Sequence, residues 1–272
     1  MALAAATSYG GKVVDGSPVV ITDDMFLDIS RGNRAGMISI HKFGQNLVGT
    51  TMEDIWPAGG LYTWPTNAAT LEAISTSVND AAAGTGARTI VIEGLDASFL
   101  PITETNTLNG TSASTATSLS FVRVNRAYVL TAGTYASTTI LGTQDGDITI
   151  RRSGGGATQA QILDGDKHGQ TQIARFTVPA GKSAYVNQID ITIEGSKAAN
   201  VHMWAREGAD VVTAPFTAKR AKAEFDSILG QENIQYKIPI KFPEKTDIWF
   251  SGEIAAGTAV IEVGFNFVLI DN

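Results

Sequence analysis

The feature that most constrains this chain is a recurrence of short β-type runs punctuated by turn residues. It is plainest over residues 170–272, where strands are expected at 172–178, 184–194, 200–206, 234–242, 247–254 and 259–270. These runs are rich in Val, Ile and aromatic residues, which suit a pleated, half-buried surface. Val178-Pro179-Ala180-Gly181-Lys182 and the stretch around Pro243 supply the reversals, Pro fixing φ and Gly permitting positive φ. In the last run Phe265, Phe267 and Leu269 alternate with Asn266 and Val268, the pattern of a core strand tied down at the C-terminus. Six short strands with regular turns predict a β-sandwich of jelly-roll type. The link at 207–230 carries one helix-like patch, at 214–229.

The first half reads the same way with longer loops. Strands are expected at 36–43, 70–78, 88–93, 102–108, 119–130, 147–151 and 159–163. In the first of these, Ile38 and Ile40 share the face expected to meet the core, and His41 lies on the other. Asn109-Gly110 is a turn signal that marks 102–108 and 119–130 as a pair, and residues 153–156 link the last two strands as another pair. The expected fold class is therefore all-β: two β-sandwich or jelly-roll-like regions with an N-terminal arm. The division predicted is an arm or extension at 1–36, a first sandwich at 37–166 and a second, jelly-roll-like one at 167–272. Val13, Val14, Val19, Val20 and Ile21 are the expected arm contacts, because a solvated tail has no need of five β-branched residues. Thr22-Asp23-Asp24 can cap a turn of helix.

Composition narrows the function classes. The 272-residue chain has no Cys, which excludes disulfides, thiolate metal sites and Cys nucleophiles. Its net charge of −7 speaks against a general nucleic-acid binder, which needs a basic face. No apolar run is long enough to span a membrane as a helix. Residues 1–7 lack a basic region and do not read as a signal peptide.

Residues 40–65 are the most unusual stretch: Phe43, then Trp56, Tyr62 and Trp64 around the turn Pro57-Ala58-Gly59-Gly60. The stretch is expected to form a turn and a short aromatic strand. Its aromatics suit packing or an interface between subunits, and sugar stacking is the alternative. Trp204 and Trp249, inside predicted strands, are expected in the core.

Catalytic signatures are missing. His41, His168 and His202 show no metal-ligand spacing. No nucleophile elbow, Walker loop or dinucleotide fingerprint occurs. Asp145-Gly146-Asp147 and Asp164-Gly165-Asp166 are the densest acidic groups; hairpin turns explain them, with a Ca²⁺ site as the alternative. Glu53, Asp54 and Glu104 offer no partnered acid and base. No catalytic residue, metal site or cofactor is predicted.

Several stretches in consistent order resemble a family of virion structural proteins from tailed bacteriophages, especially marine ones. They are IHKFGQN (40–46), EDIWPAGGLYTWP (53–65), NDAAAGTGARTIVIEGLD (79–96), ETNTLNGTSA (104–113), FVRVNRAYVLTAG (121–133) and GQTQIARFTVPAGKSAYV (169–186). Phe43-Gly44, Trp56, Gly59-Gly60, Val124-Asn125-Arg126 and Gly169-Gln170-Thr171-Gln172 are among the residues that carry the likeness. It runs from Ile40 to the C-terminus and leaves the first 36 residues outside. It implies a non-enzymatic particle component, made in the host cytoplasm and placed in the virion. The role expected first is a head decoration or capsid-stabilising (cement) protein. The alternatives are a tail- or collar-associated ring or fibre-anchoring protein, or a carbohydrate-binding receptor-recognition module. The implied partners are further copies of the chain, in a trimer or ring, and the major capsid protein or other virion proteins, with no nucleic acid and no membrane.

Overall fold

The computed structural model describes residues 25–135, 142–165 and 168–272. The expected arm contacts Val13, Val14, Val19, Val20 and Ile21 lie outside them. A short helix α1, Met25–Ser30, buries only Ile29. Among the described residues everything else regular is strand. In chain order these are β1 Met37–Val48, β2 Glu53–Asp54, β3 Leu71–Ser75, β4 Ala87–Leu95, β5 Pro101–Thr107, β6 Arg123–Ala132, β7 Ile148–Arg152, β8 Thr158–Ile162, β9 Arg175–Thr177, β10 Lys182–Ile193, β11 Ala199–Arg206, β12 Arg220–Ile228, β13 Gln231–Phe242, β14 Asp247–Ile254 and β15 Ala259–Asp271. The fold is all-β.

Eight of these strands form two facing four-stranded sheets, ordered β1-β15-β10-β13 and β12-β11-β14-β2, with β9 added beside β14. Successive strands pass between the sheets, except for the β11–β12 hairpin within one of them, in the connectivity of a jelly roll. The core between them is filled by alternate residues of each strand: Val186, Ile189 and Ile191 on β10, Phe265 and Phe267 on β15, Met203 on β11 and Phe250 on β14. The first and last long strands run antiparallel over their whole length, Met37 opposite Ile270 and Val48 opposite Ala259. That pairing has the longest sequence separation in the fold and closes the roll.

Strands β3 to β8 occur between β2 and β9 and form a second sandwich. Its sheets, β3-β7-β8 and β5-β4-β6, share a core of Leu71, Ile90, Ile92, Val124, Ile148, Ile150 and Ile162. The predicted boundary at 166/167 is therefore corrected. β1 and β2 pair with strands of the C-terminal part, and the second sandwich is an insertion into the jelly roll. Strand pairing carries no local sequence mark, so a reading along the chain assigns β1 to its sequence neighbours.

Three further expectations change. Residues 214–229 hold no helix: Arg220–Ile228 is a strand paired with β11. Ala221, Ala223 and Phe225 also fit period two, and the open edge of β11 decides between the periods. β5 and β6 do not pair with each other; both flank β4. Ile38 lies on the same side as Ile40 but is 49% exposed. β1 is an edge strand, so its first residues have a neighbour on one side alone. The face that Ile38 and Ile40 begin continues into Lys42, Gly44, Asn46 and Val48, all buried. Gly44 is required there: a Cβ would stand 2.1 Å from the backbone nitrogen of Ala174, which crosses β1 at this point.

Candidate functional site

The best-organised polar and aromatic cluster lies where the insertion meets the jelly roll. On β14 the even-numbered residues Ile248 and Phe250 enter the core, so Asp247, Trp249 and Ser251 face outward. Residues 53–65 are folded over this outer face. β2 pairs with Ser251 and Gly252. After it the backbone leaves the sheet, and no aromatic strand forms. The chain is held by side chains. Asp54 accepts from the Tyr62 amide at 2.7 Å and from the Ser251 hydroxyl at 2.6 Å. Glu53 accepts from the Gly60 amide at 2.7 Å. The Trp56 indole donates to the Gly60 carbonyl at 3.1 Å. Gly59 and Gly60 both take positive φ, 70° and 65°, which explains the Gly-Gly pair.

Three of the four expected anchors meet here. Trp56 and Tyr62 are buried with Ile173, and Trp64 packs against them. Their rings continue into a ladder with centroid spacings of 5.2 Å (Trp56–Tyr62), 5.0 Å (Tyr62–Trp64), 5.3 Å (Trp64–Trp249) and 6.5 Å (Trp249–Trp204). The first three contacts are edge-to-face, the geometry aromatic quadrupoles prefer. Phe43 stands apart. It is half-buried on the outer side of β1, between His41 and His168 at 6.0 and 6.5 Å. Trp204 and Trp249 are expected in the core; Trp249 is buried, at this junction and not between the two jelly-roll sheets, while Trp204 on the same outer face is only half-buried. Strand periodicity assigns the face but not which face is covered.

Residues that sequence reasoning passed over complete the cluster. Arg123, at the start of β6, makes a two-pronged ion pair with Asp247 at 2.8 and 3.0 Å, both side chains almost fully buried. Arg206 reaches the same carboxylate at 2.9 Å, and the Thr177 hydroxyl donates to it at 2.7 Å. Arg123 also lies 5.1 Å from the Trp64 ring centroid. Arg175 is buried without a carboxylate partner in hydrogen-bond range; its guanidinium lies 3.6 Å from the Tyr62 centroid and 5.2 Å from that of Trp56 and donates to the Gln159 carbonyl. Burial pushes the Tyr62 hydroxyl pKa up. Burial also raises Asp54, against its bonds from Ser251 and Tyr62. The available signal was an arginine inside an apolar run, in Val122-Arg123-Val124 and Ala174-Arg175-Phe176: a buried guanidinium needs a partner.

Lys42 belongs to the same junction. Its buried ammonium donates to the Asn125 carbonyl of the insertion. Burial, then the charges of Arg175 and Arg126, lower its pKa from 10.5 to about 7. The segments that carry the family likeness converge here too. Asn125 exchanges bonds with Thr177, Arg126 reaches Gln170 at 2.9 Å, and the Gln45 backbone amide donates to the Gln172 carbonyl.

The carboxylates flagged in the sequence serve as loop fasteners. Glu104 accepts from the Ser118 and Leu119 amides at 2.7 and 2.8 Å. Asp145-Gly146-Asp147 and Asp164-Gly165 are not hairpin turns, because the β7–β8 reversal is at 153–156. They flank the open end of that hairpin, where Asp147 accepts from the Asp164 amide at 2.7 Å. Asp166 lies outside the described residues. Beside them the fully buried Asp80 accepts from Ser75, Ala87, Asp145 and Gly146 at 2.6–2.9 Å. Among the described residues no group of three His, Asp or Glu side chains is placed to hold a metal ion. A cleft of about 260 Å³ opens beside Trp64, with Asp54, Arg206 and Lys219 on its walls and exposed Leu61 and Phe216 at its rim.

No protein-family model matches the chain, and no curated protein does. Solved structures similar to it include T=1 particles derived from infectious bursal virus (10% identity, 86% of this chain and 73% of that one, TM-score 0.21) and the Gx strain of infectious bursal disease virus (11% identity, 87% and 81%, TM-score 0.18). Superpositions at this level define no shared fold.

Proposed function

We propose that the chain is a non-enzymatic bacteriophage virion structural protein that works by surface assembly, first of all as a head decoration or cement protein. The observation that carries this reading is the jelly roll with its inserted sandwich, since double-sheet jelly rolls build viral capsid proteins as well as lectins and cupins. Fold alone is an analogy. Two features of the site support it. Glu53, Asp54, Asp80, Glu104 and Asp247 are engaged in holding loops and arginines in place, which leaves no evident acid and base pair across an open cleft. The cluster also ties the insertion to the roll through the Arg123–Asp247 pair, which suits a component that assembles as one body.

The test is re-association of the purified chain with particles that lack it, followed by copy number from gel densitometry. Hundreds of copies per particle are expected for a capsid-surface role. A dozen or fewer transfers the protein to the tail or collar, as a ring or fibre anchor. A monomer with no affinity for particles overturns the virion reading. A second reading, carbohydrate recognition, is favoured by the cleft beside Trp64, where an aromatic ring and the polar groups of Asp54, Arg206 and Lys219 line one opening. Binding on a glycan array, lost on Trp64→Ala, supports it; silence across the array removes it.

A further inference from the structure

The cleft beside Trp64 has an apolar part and a polar part. Trp64 and Trp249 line its inner side, and Leu61 and Phe216, 68% and 56% exposed, stand at its mouth. Its volume, about 260 Å³, lies below the roughly 300–1,000 Å³ of pockets that take drug-sized ligands, so it suits a single ring. In the polar part the acceptors are already used. One oxygen of Asp54 accepts from the Ser251 hydroxyl and the other from the Tyr62 amide. Arg206 donates to Asp247, which Arg123 also engages. Lys219, the exposed residue just before β12, differs from the cations around it. Arg220 and Lys222 are paired with Glu207 at 2.9 and 3.5 Å, and Lys245 with Asp210 at 2.8 Å. The Lys219 ammonium instead lies 4.5 Å from the Trp204 ring centroid and, among the described residues, forms no ion pair with a carboxylate.

We propose that this cleft takes an acidic sugar, a uronic or sialic acid, with the ligand carboxylate on Lys219 and the sugar ring against Trp64. The proposal rests on the carbohydrate reading of the cleft and adds the class of sugar. A ligand completes a site by supplying what the site lacks. Here the carboxylate of Asp54 is engaged by the fold, whereas the Lys219 ammonium has N–H donors to spare. A carboxylate satisfies them through a charge-assisted hydrogen bond. The surroundings favour the same sign of ligand. Arg123 and Arg206 share the single carboxylate of Asp247, and Arg175 lies against the Tyr62 ring. Attraction to the Trp204 ring keeps the ammonium at the cleft wall. The apolar face of a sugar ring matches Trp64 and the rim of Leu61 and Phe216. A neutral sugar leaves the ammonium to water, and a cationic ligand is repelled by it.

The test is titration of the full chain, followed by calorimetry or ligand-observed NMR, with glucuronic acid, N-acetylneuraminic acid and glucose. At least one acid is expected to bind about tenfold or more tighter than glucose, the size of one charge-assisted hydrogen bond. Lys219→Gln is expected to bring that acid down to the level of glucose and to leave glucose unchanged. Lys219→Arg is expected to keep the preference. Lys219 is exposed, so neither variant disturbs the core. Raising the salt concentration should narrow the gap between acid and neutral sugar. Equal binding of acids and glucose overturns the proposal while the carbohydrate reading stands. A preference for acid that survives Lys219→Gln also overturns it, because the charge is then read elsewhere. Silence toward all three sugars overturns it as well, and silence across a glycan array removes the carbohydrate reading with it.

Discussion

Individual residues at the junction carry unequal shares of the stability. Trp56 is buried against Tyr62 and Ile173 and under Arg175. Trp56→Ala is expected to cost about 3–5 kcal/mol, since it removes a large buried ring and leaves a cavity. Urea denaturation measures it, and a neutral result would return the stretch to the surface. Lys42 makes the complementary prediction about pH. Its folded-state pKa, about 7, lies below the ordinary 10.5, so the unfolded chain binds the extra proton between those values. Stability therefore rises with pH from about 7 toward 10.5 and is flat for this group below 7. Lys42→Met is expected to stabilise the protein at neutral pH and to flatten that rise. Denaturation midpoints at pH 7 and pH 9.5 test both statements; an unchanged slope in the variant contradicts the assignment.

At the scale of elements, loops are secured by carboxylates in addition to their own backbone bonds. Asp80 ties the 75–87 loop to the turn before β7 through four donors. Asp80→Ala is expected to release both loops together. The amides of Ala87, Asp145 and Gly146 lose their acceptor and should exchange faster, while those of β10 and β15 keep their protection. Loss of protection confined to one loop contradicts the shared-fastener view. Strand existence was largely legible here, because Val, Ile and Thr runs bounded by Gly and Asn leave few other choices. The β12 region was not. Its small residues satisfy both periods, and the free edge of β11 made the choice. The aromatic stretch at 53–65 departs from the expected strand for a related reason: Tyr62 and Trp64 have strand propensity, but the Tyr62 and Gly60 amides donate to Asp54 and Glu53, which holds this backbone out of any sheet.

For the whole molecule, the decisive feature is that the insertion is bolted to the jelly roll by buried charge. Asp247 of the roll receives Arg123 of the insertion and Arg206 of the roll. Removing one member of such a group leaves uncompensated charges in a dry site, at about 3–5 kcal/mol. The intact chain is expected to unfold in one calorimetric transition. Asp247→Ala should lower the melting temperature and separate the two sandwiches into two transitions. A single transition in the variant would mean that the aromatic ladder and the Lys42–Asn125 and Asn125–Thr177 bonds suffice to couple them. This buried junction is the structural reason to expect the two sandwiches to unfold as one unit.

The sequence by itself determined the all-β class, most strand positions, the absence of cysteine chemistry and the special character of residues 40–65. Those properties are local: side-chain alternation, turn residues and composition act over a few positions. Only the tertiary structure decided that β1 and β2 belong with β9 to β15 and that the sandwich of β3 to β8 is an insertion, because long-range strand pairing is set by which edges remain open. It also decided the partners of Arg123, Arg175 and Lys42. A buried cation is visible in a sequence as an anomaly, but the carboxylate, ring or carbonyl that compensates it is chosen by the packing of segments far apart along the chain.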